Sequence, residues 1–144
     1  MEKSNNISLF AVSFRQGFIS PNIPIATFQQ GDKDIVFLLD TGSDHNVINK
    51  SALEYIDHQM LEGDENVTTL SGVNGTTQVQ HCIIEFSCGD EKYKANFLVA
   101  DLDEAFGTVK KGHSIIMHGI LGSLFLKENN VILDFNNFTA YSKP

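Results

Sequence analysis

Asp40-Thr41-Gly42-Ser43-Asp44 gathers two carboxylates, two hydroxyls and a glycine into five consecutive residues. Hydrolysis without a metal or a covalent nucleophile needs a base to activate water and an acid to protonate the leaving group. Two carboxylates about 3 Å apart supply both, because they cannot both ionise and so share one proton. The same residues have plainer uses. An Asp at a strand end followed by Thr-Gly also suits a turn in which the Asp side chain caps its own backbone. Asp40-x-Gly42-x-Asp44 also suggests a cation loop, but a calcium loop needs further oxygen ligands and a distal bidentate Glu. Among His45, His58, His81, Cys82, Cys88, His113 and His118 there is no Cys-x-x-Cys or His-Glu-x-x-His spacing, so no zinc site is expected. His81-Cys82 is a poor base and thiol pair, because neighbours on a strand point to opposite faces.

The elements that must position Asp40 are extended ones. Ile23 to Gln30 and Lys33 to Leu39 flank Gly31-Asp32 and read as a hairpin. Its second strand, Ile35-Val36-Phe37-Leu38-Leu39, is apolar on both faces and belongs in a core. It runs directly into Asp40, so the carboxylate sits where a buried strand breaks into a turn. Ser51-Ala52-Leu53-Glu54 has capping-box spacing and predicts a short helix over Ser51 to Asp57. Glu62 to Gln80 is polar around Ser71-Gly72-Val73-Asn74-Gly75, where Asn-Gly marks a tight turn, and reads as an exposed, mobile hairpin. Ile84, Phe86 and Cys88, then Tyr93, Ala95, Phe97 and Val99, alternate with polar residues about Gly89-Asp90 and predict a second, half-buried hairpin. Asp101 to Phe106 suits one helical turn, and Thr108 to His113 is a basic loop. Ile120-Leu121-Gly122 leads into a short helix over Ser123 to Lys127. Val131 to Phe135 and Phe138 to Tyr141 close the chain as a third hairpin about Asn136-Asn137. Short strands without regular alternation of strand and long helix are an all-β signature.

The run from Phe37 to Ile48, apolar residues then Asp40-Thr41-Gly42-Ser43 and a return to Val47-Ile48, resembles the active-site signature of retroviral-type aspartic peptidases. Ile120-Leu121-Gly122 and the helix after it resemble the family's hydrophobic-hydrophobic-Gly element. The resemblance implies an all-β, closed β-barrel-like acid-protease fold with a flap hairpin and one or two short helices. Residues 1–20 would be an N-terminal extension or strand, and 21–144 the peptidase domain. It further implies that Ile120, Leu121 and Gly122 pack behind the Asp loop or line subsites, that Gly72, Val73, Asn74 and Gly75 form the flap, and that Ser43 and Asp44 adjoin substrate. Only one such triplet is present, and Asp134-Phe135-Asn136 lacks both the hydroxyl and the glycine. The second carboxylate is therefore expected from another subunit of a two-fold homodimer. Thr41 would interlock with its dimer mate, Gly42 would let backbone amides approach, and Ser43 would donate a hydrogen bond to Asp40, drawing activity toward acidic pH. The expected activity is endopeptidase cleavage of polypeptide held extended against sheet edges, without a cofactor. The rival is a peptidase-fold binding or dimerisation module with no turnover. Ser8 to Phe14 and Phe138 to Tyr141 are the candidate strands for closing the dimer.

Composition agrees with a folded globular domain of this size. The 144 residues suit one domain that buries roughly two-thirds of its unfolded surface, and 42% hydrophobic against 19% charged residues is far from a disordered composition. A net charge of -8 argues against nucleic acid or an anionic membrane as partner. No apolar run approaches the roughly 20 residues of a membrane span. Lys3 precedes an apolar stretch, but Ser8, Ser13 and Arg15 interrupt it and no cleavage site follows, so a mature cytoplasmic protein is expected. The sequons at Asn6, Asn66, Asn74 and Asn137 are then unused. Cys82 and Cys88 on one strand would lie roughly 20 Å apart, which predicts free thiols.

Overall fold

Apolar residues on both faces of Ile35 to Leu39 require cover on two sides, and the fold supplies it. The structure, a computed structural model, describes residues 11–19, 22–63, 67–72, 75–107 and 115–142. β1 (Ala11–Ser13) and the short helix α1 (Arg15–Ile19) precede the hairpin of β2 (Ile25–Gln30) and β3 (Lys33–Asp40). Then come β4 (Val47–Asn49), a 3-10 helix (Lys50–Glu54), β5 (Gln59–Met60), β6 (Val67–Gly72), β7 (Gly75–Cys88) and β8 (Glu91–Ala100). A helical turn α2 at 103–107 leads on to β9 (Gly119–Gly122), α3 (Ser123–Glu128), β10 (Val131–Asp134) and β11 (Thr139–Ser142).

Eight strands form one sheet in the order β2-β3-β9-β4-β8-β7-β5, with β6 paired to β7. Gln29 of β2 pairs with Ser87 of β7, which closes the sheet into a ring. Inside it, Ile35, Phe37 and Leu39 join Phe28, Phe86, Phe97, Leu121 and Phe125 in the main core. Phe37 is fully buried, with ring centroids 5.5 Å from Phe28, 5.3 Å from Phe86 and 5.4 Å from Phe97. The other face of β3, Val36 and Leu38, packs against a smaller cluster of Ile25, Phe106 and Met117 with Ile120 at its margin.

Most of the expected elements form. Gly31 turns the first hairpin at a φ of 62° and Gly89 the second at 62°, conformations glycine adopts without steric cost. Cys82 and Cys88 are buried free thiols on β7, and burial pushes the Cys82 thiol up to about 11. Four expectations change. The helix after β4 is a 3-10 helix starting at Lys50, with Asn49 as a cap that makes no side-chain capping bond. Ser51 lies inside it and donates instead to Asp103 Oδ1 at 2.7 Å, so the capping box does not form. The hairpins read as separate between Glu62 and Val99 share one long strand, β7, which pairs with β6 at one end and β8 along the rest. Helix α1 was not anticipated, because Arg15–Ile19 is short, has no acidic residue in its first turn or basic residue in its last, and carries a glycine at its centre.

The strand candidates at the two ends of the chain pair with each other. β1 lies antiparallel to β11, and β11 to β10, in a separate three-stranded sheet. Phe14 anchors it, fully buried among Phe18, Phe135 and Phe138. Edge strands seek partners, and here β1 satisfies one side of β11 within the subunit. Thr108 to His113 lie outside the described residues.

Candidate active site

Asp40 is the last residue of β3, and β3 runs parallel to β9 with Asp40 opposite Gly122. On its other side β9 pairs antiparallel with β4, Val47 opposite Ile120. Between β3 and β4 the chain must therefore cross the end of β9, and residues 41–46 make that crossing. Close approach is what Gly122 permits: a Cβ there would meet the His45 carbonyl oxygen at 2.5 Å and that of Ser43 at 2.7 Å. Gly119 has the same constraint, with Val47 O at 2.5 Å.

The crossing is pinned from below. Ser123 N donates to Ser43 O at 2.7 Å and Leu124 N to Asp44 O at 3.2 Å, so amides that the start of α3 leaves unpaired are used to hold the loop. Asn46, buried, accepts from Gly122 N through Oδ1 at 2.9 Å and donates through Nδ2 to Asn96 O at 3.1 Å.

The Asp40 carboxylate is half-buried at the mouth of this arrangement. Gly42 N donates to its Oδ1 at 2.9 Å, and Ser43 N donates to its carbonyl at 3.2 Å, so the turn folds back on the Asp. Its Oδ2 accepts no hydrogen bond among the described residues, which leaves that oxygen available. Thr41 and Asp44 are exposed. The expected bond from Ser43 to Asp40 is not made; Ser43 Oγ donates to His45 O at 2.7 Å instead.

The other residues expected at the site divide. By strand alternation Asp40 shares the Val36 and Leu38 face of β3, and Ile120 lies with that face in the smaller cluster. Leu121 points the other way and is fully buried in the main core. Gly72 and Gly75 face each other at the end of the β6 and β7 pairing. Val73 and Asn74 lie outside the described residues. Asp134 ends β10 as Asp40 ends β3, but its carboxylate is spent on its own turn. It accepts from Asn136 N at 2.9 Å, Asn137 N at 3.1 Å and Asn137 Nδ2 at 2.8 Å.

Sequence reasoning missed two contributors. Asn46 is one, because an Asn between Asp44 and Val47 has too many ordinary uses to stand out. His118, set aside as a poor zinc ligand, replaces a backbone partner. Val36 N donates to its Nδ1 at 2.9 Å while His118 N donates to Val36 O at 2.8 Å, which extends the β3 and β9 pairing by one residue. The ring must be neutral to accept that bond. Burial holds its pKa below the usual value, against an opposing pull from Asp34. Tyr55 stacks on it at 5.4 Å and 18°. Among the described residues no group of three or more His, Cys, Asp or Glu is placed to hold a metal ion, and no helix is long and apolar enough to cross a membrane.

Comparison with known proteins agrees with this geometry. A family model described as aspartyl protease matches residues 26–125, from β2 into α3, and so takes in both Asp40 and Gly122. No curated protein matches the sequence. Among solved structures, the chain is similar to a retropepsin-like aspartic protease from Rickettsia conorii, with 13% identity and a TM-score of 0.51. The match covers 94% of this chain and 90% of that one. With a ring-like sheet, a strand-end Asp-Thr-Gly crossing a glycine-bearing strand, and a family match over most of its length, the chain belongs to the aspartyl protease family and has a retropepsin-like fold.

Proposed function

We propose that this protein is an endopeptidase active as a homodimer, in which Asp40 of each subunit supplies one carboxylate of the catalytic pair. The observation that carries the reading is the contrast in carboxylate use: among the described residues Asp40 Oδ2 accepts no hydrogen bond, on a pinned loop, whereas Asp134 is saturated by its own turn. One subunit then offers one usable strand-end carboxylate, and a two-fold axis beside Asp40 provides the second.

In the dimer the two carboxylates share a proton. The ionised one takes a proton from water as the water attacks the peptide carbonyl carbon, and the protonated one hydrogen-bonds the carbonyl oxygen. Collapse of the tetrahedral intermediate passes a proton to the amide nitrogen and breaks the C–N bond, which restores the shared proton. Exposed Thr41 stands where the two loops would interlock. The β6 and β7 hairpin serves as the flap, with Gly72, Val73, Asn74 and Gly75 closing over an extended substrate bound by strand addition. Ser43 shapes the loop, Asp44 and Ile120 adjoin the substrate, and the chemistry requires no cofactor.

The test is cleavage of an unbiased peptide mixture between about pH 3 and pH 7, by wild type and by Asp40→Asn, with and without an aspartic-peptidase transition-state analogue. Sedimentation on the same samples reports the dimer. Cleavage lost in the variant and blocked by the analogue supports the dyad. Equal silence of a folded, dimeric wild type and variant would replace this reading with that of a non-catalytic binding or dimerisation module.

A further inference from the structure

We infer that Asn46 is a positioning residue for the Asp40 carboxylate, acting as the sequence-dependent member of a three-point clamp on the loop; this rests on the peptidase reading above. Three consecutive amides, Gly122 N, Ser123 N and Leu124 N, donate upward into residues 43–46. Two of the acceptors, Ser43 O and Asp44 O, are backbone carbonyls that any sequence would offer. The third is Asn46 Oδ1. Gly122, its donor, is the residue in register with Asp40, so this bond fixes the loop directly across from the carboxylate.

The other end of the same side chain fixes the loop to β8, through Nδ2 to Asn96 O, and the Asn46 carbonyl accepts from Leu98 N at 2.9 Å. Asn46 thus joins β8, β9 and the loop at one buried point. The position demands an acceptor on one side and a donor on the other across a short planar group, which a carboxamide provides. A hydroxyl is too short to reach both, and an ionised carboxylate has no donor. Asn46 touches no reacting atom. Its effect is on where Asp40 stands, and displacements of about 1 Å at a catalytic group cost on the order of a hundredfold in rate.

Asn46→Asp separates this role from general support. When protonated, the new acid accepts from Gly122 N and donates to Asn96 O as the amide does. When ionised, it sets an oxygen against the Asn96 carbonyl across the 3.1 Å now spanned by a hydrogen bond. Burial and that carbonyl keep it protonated above the ordinary carboxylate range. The titratable groups beside it are His45, His81, Tyr93, Lys94 and Glu128, which line the same groove. They are common to both proteins, so the ratio of variant to wild type removes them.

The expected result is a variant kcat within about twofold of wild type at the acidic end, falling by at least about tenfold relative to wild type as pH rises, with KM little changed and circular dichroism intact throughout. Asn46→Ala should be slow at every pH. A ratio that stays flat with pH, or falls only where the fold is lost, overturns the inference. Amide hydrogen exchange supplies a readout independent of turnover: Gly122, Ser123 and Leu124 should exchange at least about tenfold faster in Asn46→Ala than in wild type. If wild type proves inactive yet these amides lose protection in the variant, the clamp stands and the peptidase reading falls. Unchanged protection overturns the clamp whatever the activity.

Discussion

Asp40 and Asp134 begin from the same local chemistry and end in opposite states. Each is the last residue of a strand, and each carboxylate accepts the amide two residues on, at 2.9 Å in both cases. Beyond that first bond they part. Asp134 stands on a hairpin at the margin of the three-stranded sheet and draws two further donors from Asn137, which hold its carboxyl below the usual range. Asp40 accepts no side-chain hydrogen bond among the described residues, and its loop is fastened to β9 and α3 instead. An Asp turn therefore keeps a carboxylate oxygen open, among the described residues, when the loop is held by something other than the carboxylate.

The sharpest way to break that comparison is to neutralise each Asp in turn. Asp40→Asn should lower kcat/KM by at least about a thousandfold, the scale expected when an acid–base group is removed, while the same change at Asp134 leaves cleavage as it was. Comparable losses at both positions, measured on one peptide with both variants folded, would mean that the Asp40 oxygen without a partner among the described residues does not distinguish them.

Next in size is Gly122→Ala. Its Cβ would press on His45 O at 2.5 Å and Ser43 O at 2.7 Å, both backbone atoms that cannot swing aside. The loop must lift, so kcat should fall by about a hundredfold and stability by about 1–3 kcal/mol, measured by steady-state kinetics and urea unfolding. Gly89→Ala is the control. Nothing lies within 4 Å of its added Cβ, so its cost is the left-handed backbone alone, about 1 kcal/mol, with kcat unchanged.

What was legible in the sequence follows the same division. Strand-end Asp40, the apolar β3, the Gly31 and Gly89 turns and Ile120-Leu121-Gly122 all announce themselves, because hydrophobic alternation and glycine are local signals. The clamp does not. Whether Ser51 caps its own helix or reaches Asp103, and whether Ser43 turns to Asp40 or to His45 O, depends on what the fold brings near. Short polar side chains can serve either partner. The intrachain pairing of β1 with β11 was hidden for a related reason, since an edge strand carries no mark of whose edge it will join. His118 shows the same limit: a histidine accepting a strand amide looks, in sequence, like any other.

His118 gives a third test, on the strand beneath Asp40. Its ring pKa is lowered in the folded protein from the ordinary 6.5, chiefly by burial. Between that value and the lower folded one, the unfolded chain binds a proton that the native state refuses, so stability falls as pH drops below about 6.5. Protonation also removes the acceptor for Val36 N. His118→Gln retains an acceptor without the titration and should flatten the slope of unfolding free energy below about pH 6.5. A slope equal to that of wild type would place the titrating group elsewhere.

The smallest effect belongs to the other strand end. Because hydrogen bonds from Asn137 and Asn136 lower the Asp134 pKa from its ordinary 3.8, the stability it contributes is present above that value and is lost as pH falls through the lower, folded one. Asp134→Asn keeps an oxygen for the two backbone amides but sets an NH2 group against Asn137 Nδ2, now a donor to Oδ2 at 2.8 Å. Wild type should therefore be slightly the more stable at neutral pH. The two should converge below about pH 4, in a window separate from that of His118. Thermal unfolding of both proteins across that range checks it. Convergence would confirm that this carboxylate serves only its own turn, while a difference in peptide cleavage between the two would draw Asp134 into the site and undo the contrast with Asp40.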